Sequence, residues 1–227
     1  LSTFYIVATP IGNLNDFSPR AVEVLKSVDY IACEDTRTSG KLLKAFDISK
    51  PTFSFHLHNE HHKVEHLLNI LRGGQVVALI SDAGMPGISD PGFLAVRAAK
   101  QEGFTVTVIP GPDAATTALV ASGLPCDKYA FEGFLPPKKG RQKRLTQLAE
   151  EDRTLVFYES PHRILKLLKE INEYFGGERI VAVARELTKK FEEVVRGSAE
   201  EVLQNFEDRD SIKGEIAVVV AGKSYSE

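Results

Sequence analysis

The sequence predicts an α/β protein of two domains: an N-terminal parallel sheet flanked by helices, then a C-terminal α/β domain with a mixed sheet. Three observations predict this. Short apolar runs rich in β-formers alternate with stretches of helical spacing, the pattern of a parallel sheet covered on both faces. The rhythm changes at 125–128, which divides the chain into domains of 1–124 and 125–227. A chain of 227 residues, 43% hydrophobic and 26% charged, is also long enough to bury proper cores.

From the N-terminus, Phe4-Tyr5-Ile6-Val7-Ala8 reads as a buried strand, broken by Thr9-Pro10-Ile11-Gly12-Asn13. Ser18-Pro19 supplies an N-cap and a proline at the first helical position, opening a helix through Val28 with Ala21, Val22, Leu25 and Val28 at helical spacing. Next come a strand over 30–33, a short helix over 39–46, a strand over 52–55 and a helix over 60–72 stopped by Gly73-Gly74. A continuous apolar strand over 75–80 runs into the long loop 81–90, after which Asp90-Pro91 restarts a helix that ends at Gly103. A strand over 104–109, the turn Pro110-Gly111-Pro112-Asp113 and an Ala/Thr-rich helix to Ser122-Gly123 complete the first domain. In the second, strands are expected over 129–134 and 153–158, separated by a basic segment. Ser160-Pro161 caps a helix to Phe175, ended by Gly176-Gly177. Strands over 180–184, 192–195 and 215–221 come next, with a helix over 198–206 between the last two. A reversal around 188–190 would pair neighbouring strands antiparallel and make this sheet mixed.

Composition excludes several classes. A net charge of −3 argues against a protein that coats nucleic acid non-specifically, so any RNA contact must come from a local patch. Two cysteines, Cys33 and Cys126, make no disulfide framework and point to a reducing, cytoplasmic setting. No apolar run reaches the roughly 18–20 residues that cross a bilayer, and the opening eight residues lack the basic start of a signal peptide.

In an open α/β sheet, ligands sit beyond the carboxyl ends of the strands. Four segments fall there: 9–13, 34–37, 81–90 and 110–114. Ser81-Asp82-Ala83-Gly84-Met85-Pro86-Gly87-Ile88-Ser89-Asp90 is the most informative, being long for a strand-to-helix connection, with two Asp and no Lys or Arg. It contains neither a phosphate-binding Gly-x-x-x-x-Gly-Lys-Ser/Thr nor a Gly-x-Gly-x-x-Gly dinucleotide turn. Its chemistry favours a ligand with hydroxyls and positive charge over a polyphosphate. S-adenosylmethionine, with a sulfonium, an ammonium, ribose hydroxyls and no phosphate, fits that description. Backbone groups at Ala83-Gly84 and the carboxylates of Asp82 and Asp113 are placed to receive it.

Six ordered strings carry a resemblance: Ala8-Thr9-Pro10-Ile11-Gly12-Asn13-Leu14, Glu34-Asp35-Thr36-Arg37, Ser81-Asp82-Ala83-Gly84-Met85-Pro86, Pro110-Gly111-Pro112, Phe157-Tyr158-Glu159-Ser160-Pro161-His162-Arg163 and Arg185-Glu186-Leu187-Thr188-Lys189. Spanning residues 4–222, they resemble the small-subunit ribosomal RNA branch of the tetrapyrrole (corrin/porphyrin) methylases. The resemblance implies the two-domain tetrapyrrole-methylase fold, a homodimer, and S-adenosyl-L-methionine bound in the cleft between the domains. It also implies methyl transfer to the 2′-hydroxyl of a cytidine in 16S ribosomal RNA, with the small ribosomal subunit as substrate. The donor contacts it implies are Pro10, Gly12, Ser81, Asp82, Ala83, Gly84, Pro86, Asp113 and Ala114, with Glu159 and Leu187 of the second domain facing the donor largely through backbone atoms. Thr9-Pro10-Ile11-Gly12 stands where tetrapyrrole-specific branches have Gly-Pro-Gly, which argues against a corrinoid substrate. Some members carry a C-terminal segment beyond the match.

A ribose hydroxyl is a poor nucleophile, so a base or a cation beside the developing alkoxide should assist. Glu34 and Asp35 directly follow a buried strand with Arg37 alongside, which makes these three the expected catalytic group. In the competing arrangement, a carboxylate here caps the next helix and Arg37 is its counter-ion. Arg185, Glu186 and Lys189 form a second acid/base set. The RNA contacts expected are Lys138, Lys139, Arg141, Lys143 and Arg144, a positive arm beside Phe134 and Pro136-Pro137, together with Arg163 and Lys189. Against this stands a charge run that is simply solvated.

Two different classes compete with a methyltransferase. His56, His58, His61, His62 and His66 cluster, and His56-Leu57-His58-Asn59-Glu60-His61 is one residue from the pattern of binuclear metallohydrolases. A zinc hydrolase needs further His and Asp ligands downstream, where only His162 remains, and no metal is expected. A non-catalytic RNA-binding protein is the second rival class. Within the methyltransferases, a tetrapyrrole-type small-molecule substrate competes with RNA.

Overall fold

A computed structural model describes residues 2–56 and 60–227. The first sheet contains β1 (Thr3–Val7), β2 (Tyr30–Cys33), β3 (Thr52–Ser54), β4 (Val77–Ile80) and β5 (Thr105–Ile109) in the order β3-β2-β4-β1-β5. All its pairings are parallel. Parallel neighbours need crossovers, supplied by α1 (Pro19–Ser27), α2 (Thr36–Ala45), α3 (Glu60–Arg72) and α4 (Phe93–Gln101). On one face Phe4, Ile6, Val77 and Leu79 pack with Leu67 and Leu71 of α3 and Ala95 and Ala99 of α4. On the other, Val7, Ile31 and Ile80 pack with Ala21 and Leu25 of α1 and Leu43 of α2. Burial on both faces explains why these strands read as unbroken apolar runs.

The predicted helix starts follow local chemistry. Ser18 Oγ accepts from the Ala21 amide (3.1 Å) with Pro19 at the first helical position. The helix expected over 39–46 begins a turn earlier, because Asp35 is its N-cap. The helix expected from Asp90-Pro91 begins only after Gly92, which leaves Asp90 in the loop.

The second sheet has the order β6-β7-β10-β8-β9, from β6 (Tyr129–Phe134), β7 (Thr154–Glu159), β8 (Ile180–Arg185), β9 (Glu193–Ser198) and β10 (Ile216–Val220). Only β6 and β7 run parallel; the other pairings are antiparallel, giving the expected mixed sheet. Its core joins Leu155, Phe157, Val181 and Val218 to α6 (Arg141–Ala149), α7 (Ile164–Phe175) and α8 (Ala199–Glu207). Helix α8 opens with a capping box between Ser198 and Glu201. Helix α6 is not among the expected elements; the basic segment continues into it from Arg141.

The chain divides into two compact units, Leu1–Asp113 and Ala114–Glu227. The expected boundary after 124 assigns helix α5 (Ala114–Ala121) to the first sheet, whereas α5 packs on β7, β8 and β10 of the second. Among the described residues, no helix is long and apolar enough to cross a membrane.

Candidate active site

Parallel strands point their carboxyl ends one way, so the loops after β1, β2, β4 and β5 share one edge of the first sheet. The β1 and β4 loops are stitched together there. Thr9 N–H donates to Gly84 O (2.9 Å), Gly84 N–H donates to Thr9 O (3.0 Å), and Thr9 Oγ1 donates to Ser81 O (3.2 Å). Ser81, buried, turns its hydroxyl onto Ala83 O and Gly84 O. Gly84 is left-handed (φ 83°), and a Cβ there would sit 3.4 Å from Ile11. The β5 loop closes in through Gly111, where a Cβ would come 2.9 Å from that of Ala8. Pro10 and Pro86 are buried, and Gly12 is exposed. Both backbone groups of Gly84 are therefore committed to Thr9, which corrects the expectation that they receive a ligand.

The carboxylates divide by environment. Asp35 accepts the Arg37 amide (2.8 Å) and takes Arg37 Nη2 on its other oxygen (2.8 Å). Those hydrogen bonds hold its pKa down at about 2, too low for a base at neutral pH. Asp35 thus caps α2, with Arg37 as its counter-ion. Glu34 is half-buried, and burial followed by the charge of Asp82 raises its pKa, while nearby His56 draws it back. Asp82 Oδ1 accepts the Asp35 amide (3.2 Å), and its own pKa is raised by burial. Asp90, absent from the expected site, is the most perturbed: burial, then the charge of Glu34, push it up to about 7.

The loop holds Asp90 back at this edge by a compact turn. Gly87 N–H donates to Pro91 O (3.1 Å), Ser89 is left-handed (φ 61°), and Gly92 (φ 143°) has Leu79 Cδ2 3.0 Å from where a Cβ would be. Ser-Asp occurs twice in this loop, at 81–82 and 89–90, and that repetition is the sequence signal for Asp90. Cys33, buried at the end of β2, has its thiol pushed up to about 11 and is not a nucleophile.

In the second unit Glu159 ends β7 with its side chain wholly buried. One oxygen takes Arg163 Nε (2.9 Å) and the Ser160 amide (2.8 Å); the other has no hydrogen bond and lies 3.8 Å from Arg141 Nη2. Arg141 is 3% exposed, bonded to Glu170 (2.6 Å) and to the carbonyl of Pro136 (3.1 Å). It cannot meet RNA, which corrects its place in the basic arm. Arg144 is half-engaged by Glu132 (2.7 Å). Lys138, Lys139 and Lys143 are exposed, with no ion pair among the described residues. Leu187 is buried between left-handed Glu186 (φ 53°) and Thr188 (φ 66°). Lys189 bridges Glu186 and Glu215, both at 2.9 Å, and Arg185 bonds Glu193 at 2.5 Å, so this second acid/base set is a structural network. Asp113 and Ala114 stand at the junction of the two units. Among the described residues, no group of three or more His, Cys, Asp or Glu could hold a metal ion. His58 lies outside the described residues.

A parallel sheet with an acidic, lysine-free loop edge, followed by a mixed-sheet unit, is the architecture of a methyltransferase class. The model for the tetrapyrrole (corrin/porphyrin) methylases matches residues 3–203, and the chain belongs to that family. The methyl donor is S-adenosyl-L-methionine. Its curated relatives include the ribosomal RNA small subunit methyltransferase I of Pasteurella multocida, 52% identical over 98% of this chain and 80% of the relative. The protein of the same name from Thermotoga maritima is 46% identical over 96% of this chain and 97% of the relative. Among solved structures, the methyltransferase CobJ covers 100% of this chain and 96% of its own at TM-score 0.73 and 17% identity. Uroporphyrin-III-C-methyltransferase from Thermus thermophilus covers 98% and 93% at TM-score 0.66 and 21% identity. These two likenesses establish the fold, with the parallel and mixed sheets the sequence predicts.

Proposed function

We propose that this chain methylates small-subunit (16S) ribosomal RNA at the 2′-hydroxyl of a cytidine, acting as a homodimer in the cytoplasm. The relatives' shared name supports the RNA substrate. The observation that carries the chemistry is the turn of Gly87, Ser89 and Gly92 that keeps Asp90 half-buried at the loop edge, where burial and the charge of Glu34 push its carboxyl up to about 7. A base whose pKa lies near the working pH is well matched to removing a hydroxyl proton.

Bound S-adenosyl-L-methionine supplies an electrophilic methyl on a sulfonium. The residues present fit such a cation: Glu34, Asp82, Asp90 and Asp113 belong to this loop edge, and loop 81–90 has no Lys or Arg to repel it. Asp82 and Asp113 remain the proposed donor carboxylates, with Pro10, Gly12, Ser81, Ala83 and Pro86 shaping the turn and Ala114 beside them. In the second unit, Glu159 keeps one buried carboxylate oxygen unbonded. Asp90, seconded by Glu34, takes the proton of the RNA 2′-hydroxyl, and bound S-adenosyl-L-methionine would supply the methyl group that this oxygen takes up. Alignment of the two reactants accounts for much of the acceleration, up to about 7–11 kcal/mol when well oriented. Lys138, Lys139 and Lys143 bind RNA phosphate, aided by partly engaged Arg144 and Arg163.

The test is methylation of small subunits from cells lacking the enzyme, with the modified atom mapped. One new 2′-O-methylcytidine is expected. A methyl on a base, or none, overturns the reading.

A further inference from the structure

Strand β6 is an edge strand of the second sheet and carries Phe131 and Phe134. Three positions apart, they would face opposite ways on a regular strand. The β6–β7 register breaks between Phe131 and Gly133, so that Phe131 pairs with Val156 and Phe134 with Tyr158. Glu132 is the extra residue, drawn to Arg144 of α6 (2.7 Å). The bulge therefore brings both Phe rings against Tyr158, at interplanar angles of 71° for Phe131 and 60° for Phe134. Ring centroids of Phe131 and Tyr158 are 5.0 Å apart, and those of Phe134 and Tyr158 are 5.7 Å apart. Phe134 ends this row 52% exposed.

Beyond this aromatic shelf the chain turns cationic. Pro136-Pro137 stiffens the connection, and Lys138 and Lys139 stand exposed with no ion pair among the described residues. An exposed ring, Phe134, braced at a tilt by Tyr158 and standing beside unpaired cations, is matched by a polyanion with planar bases, which stack on rings whatever their sequence. We propose that the Phe131–Tyr158–Phe134 shelf is a base-stacking subsite for a single-stranded segment of the RNA substrate, with Lys138 and Lys139 on its phosphates. The proposal deepens, and rests on, the ribosomal RNA reading above. The bulge is its structural cause: it turns Glu132 away to Arg144 and keeps a carboxylate off the face that meets RNA.

The experiment compares Phe134→Leu and Phe134→Trp in the full chain, with unmethylated small subunits as substrate. Leu keeps apolar bulk and loses the ring; Trp keeps a stacking face. Phe134→Leu should raise the KM for subunits about five- to a hundredfold, with kcat at saturation and calorimetric affinity for S-adenosyl-L-methionine unchanged. Phe134→Trp should restore KM. Wild-type KM in both variants overturns the subsite. So does equal impairment of both. A change of sedimentation coefficient with KM unchanged also overturns it, marking the shelf as a protein interface. If the wild-type protein methylates no subunit, the underlying RNA reading is what fails, and that is seen before any variant is made.

Discussion

Arg141 lies within a run of cations yet is buried, so its removal should damage folding where removal of its neighbours damages binding. Its guanidinium donates to both oxygens of Glu170, to the carbonyl of Pro136, and lies 3.8 Å from Glu159. Arg141→Ala would leave two carboxylates, with side chains 0% and 15% exposed, short of their cation. Breaking a buried pair by deleting one partner costs about 3–5 kcal/mol. At about 2–4 °C per kcal/mol for a chain of this size, the protein should melt roughly 6–20 °C lower. Circular dichroism during heating and urea titration reads this directly. Arg141→Met with Glu170→Leu should recover more than half of the loss, because Glu159 keeps Arg163 while the other stranded carboxylate is gone. Lys138→Ala with Lys139→Ala should leave the melt within about 0.5 kcal/mol per site and flatten the salt dependence of subunit binding. An Arg141→Ala protein as stable as wild type, with weakened and less salt-sensitive subunit binding, would refute the assignment and return Arg141 to the RNA surface.

Three further outcomes are expected. A base with a raised pKa is protonated and idle below that value, so single-turnover methylation should fall as pH drops below about 7. Asp90→Asn should cost about 10²–10⁴-fold and flatten the profile; an unchanged slope would point to another base. The same carboxyl favours the folded state while protonated, so its contribution to stability is lost as pH rises from 3.8 to about 7. Asp90→Asn should therefore gain on wild type in stability across that window. Asp35→Ala should weaken α2 and lower the melting temperature, whereas Asp35→Asn, which can still cap, should not; both should retain single-turnover methylation, and loss in both would restore Asp35 as a catalytic group. Gly92→Ala forces a side chain into φ 143° against Leu79 and should cost about 1–3 kcal/mol, measured by urea titration, with activity falling alongside because Asp90 is displaced.

The fold is legible in the sequence because its strands are buried on both faces. Val77 to Ile80 leaves little choice but a central strand, and Ser18-Pro19 marks a helix start by its own chemistry. Where local signals compete, tertiary packing decides. Pro125 interrupts the pattern, yet α5 is carried to the second sheet because its apolar residues pack there. Helix α6 is hidden by charge: Arg141-Gln142-Lys143-Arg144 reads as solvated, and only the partner Glu170, distant in sequence, shows that one of these cations is buried.

The site is legible as a place but not as a set of roles. Position at the carboxyl edge follows from strand order, so the four loops can be named from the sequence. Protonation cannot be read that way, because it depends on how much water each carboxyl loses. Asp35 and Asp90 are the same residue type on the same edge. Asp35 keeps both oxygens on Arg37, which holds it at about 2; Asp90 is desolvated near Glu34, which pushes it up to about 7. Sequence order favours Asp35, which follows a strand and stands beside Arg37. Desolvation favours Asp90, and the left-handed Ser89 with the tight Gly92 is what keeps it there. A capped helix and the proposed base are thus made from aspartates on one edge. Their division of labour is set by the turn that holds Asp90 off the start of α4.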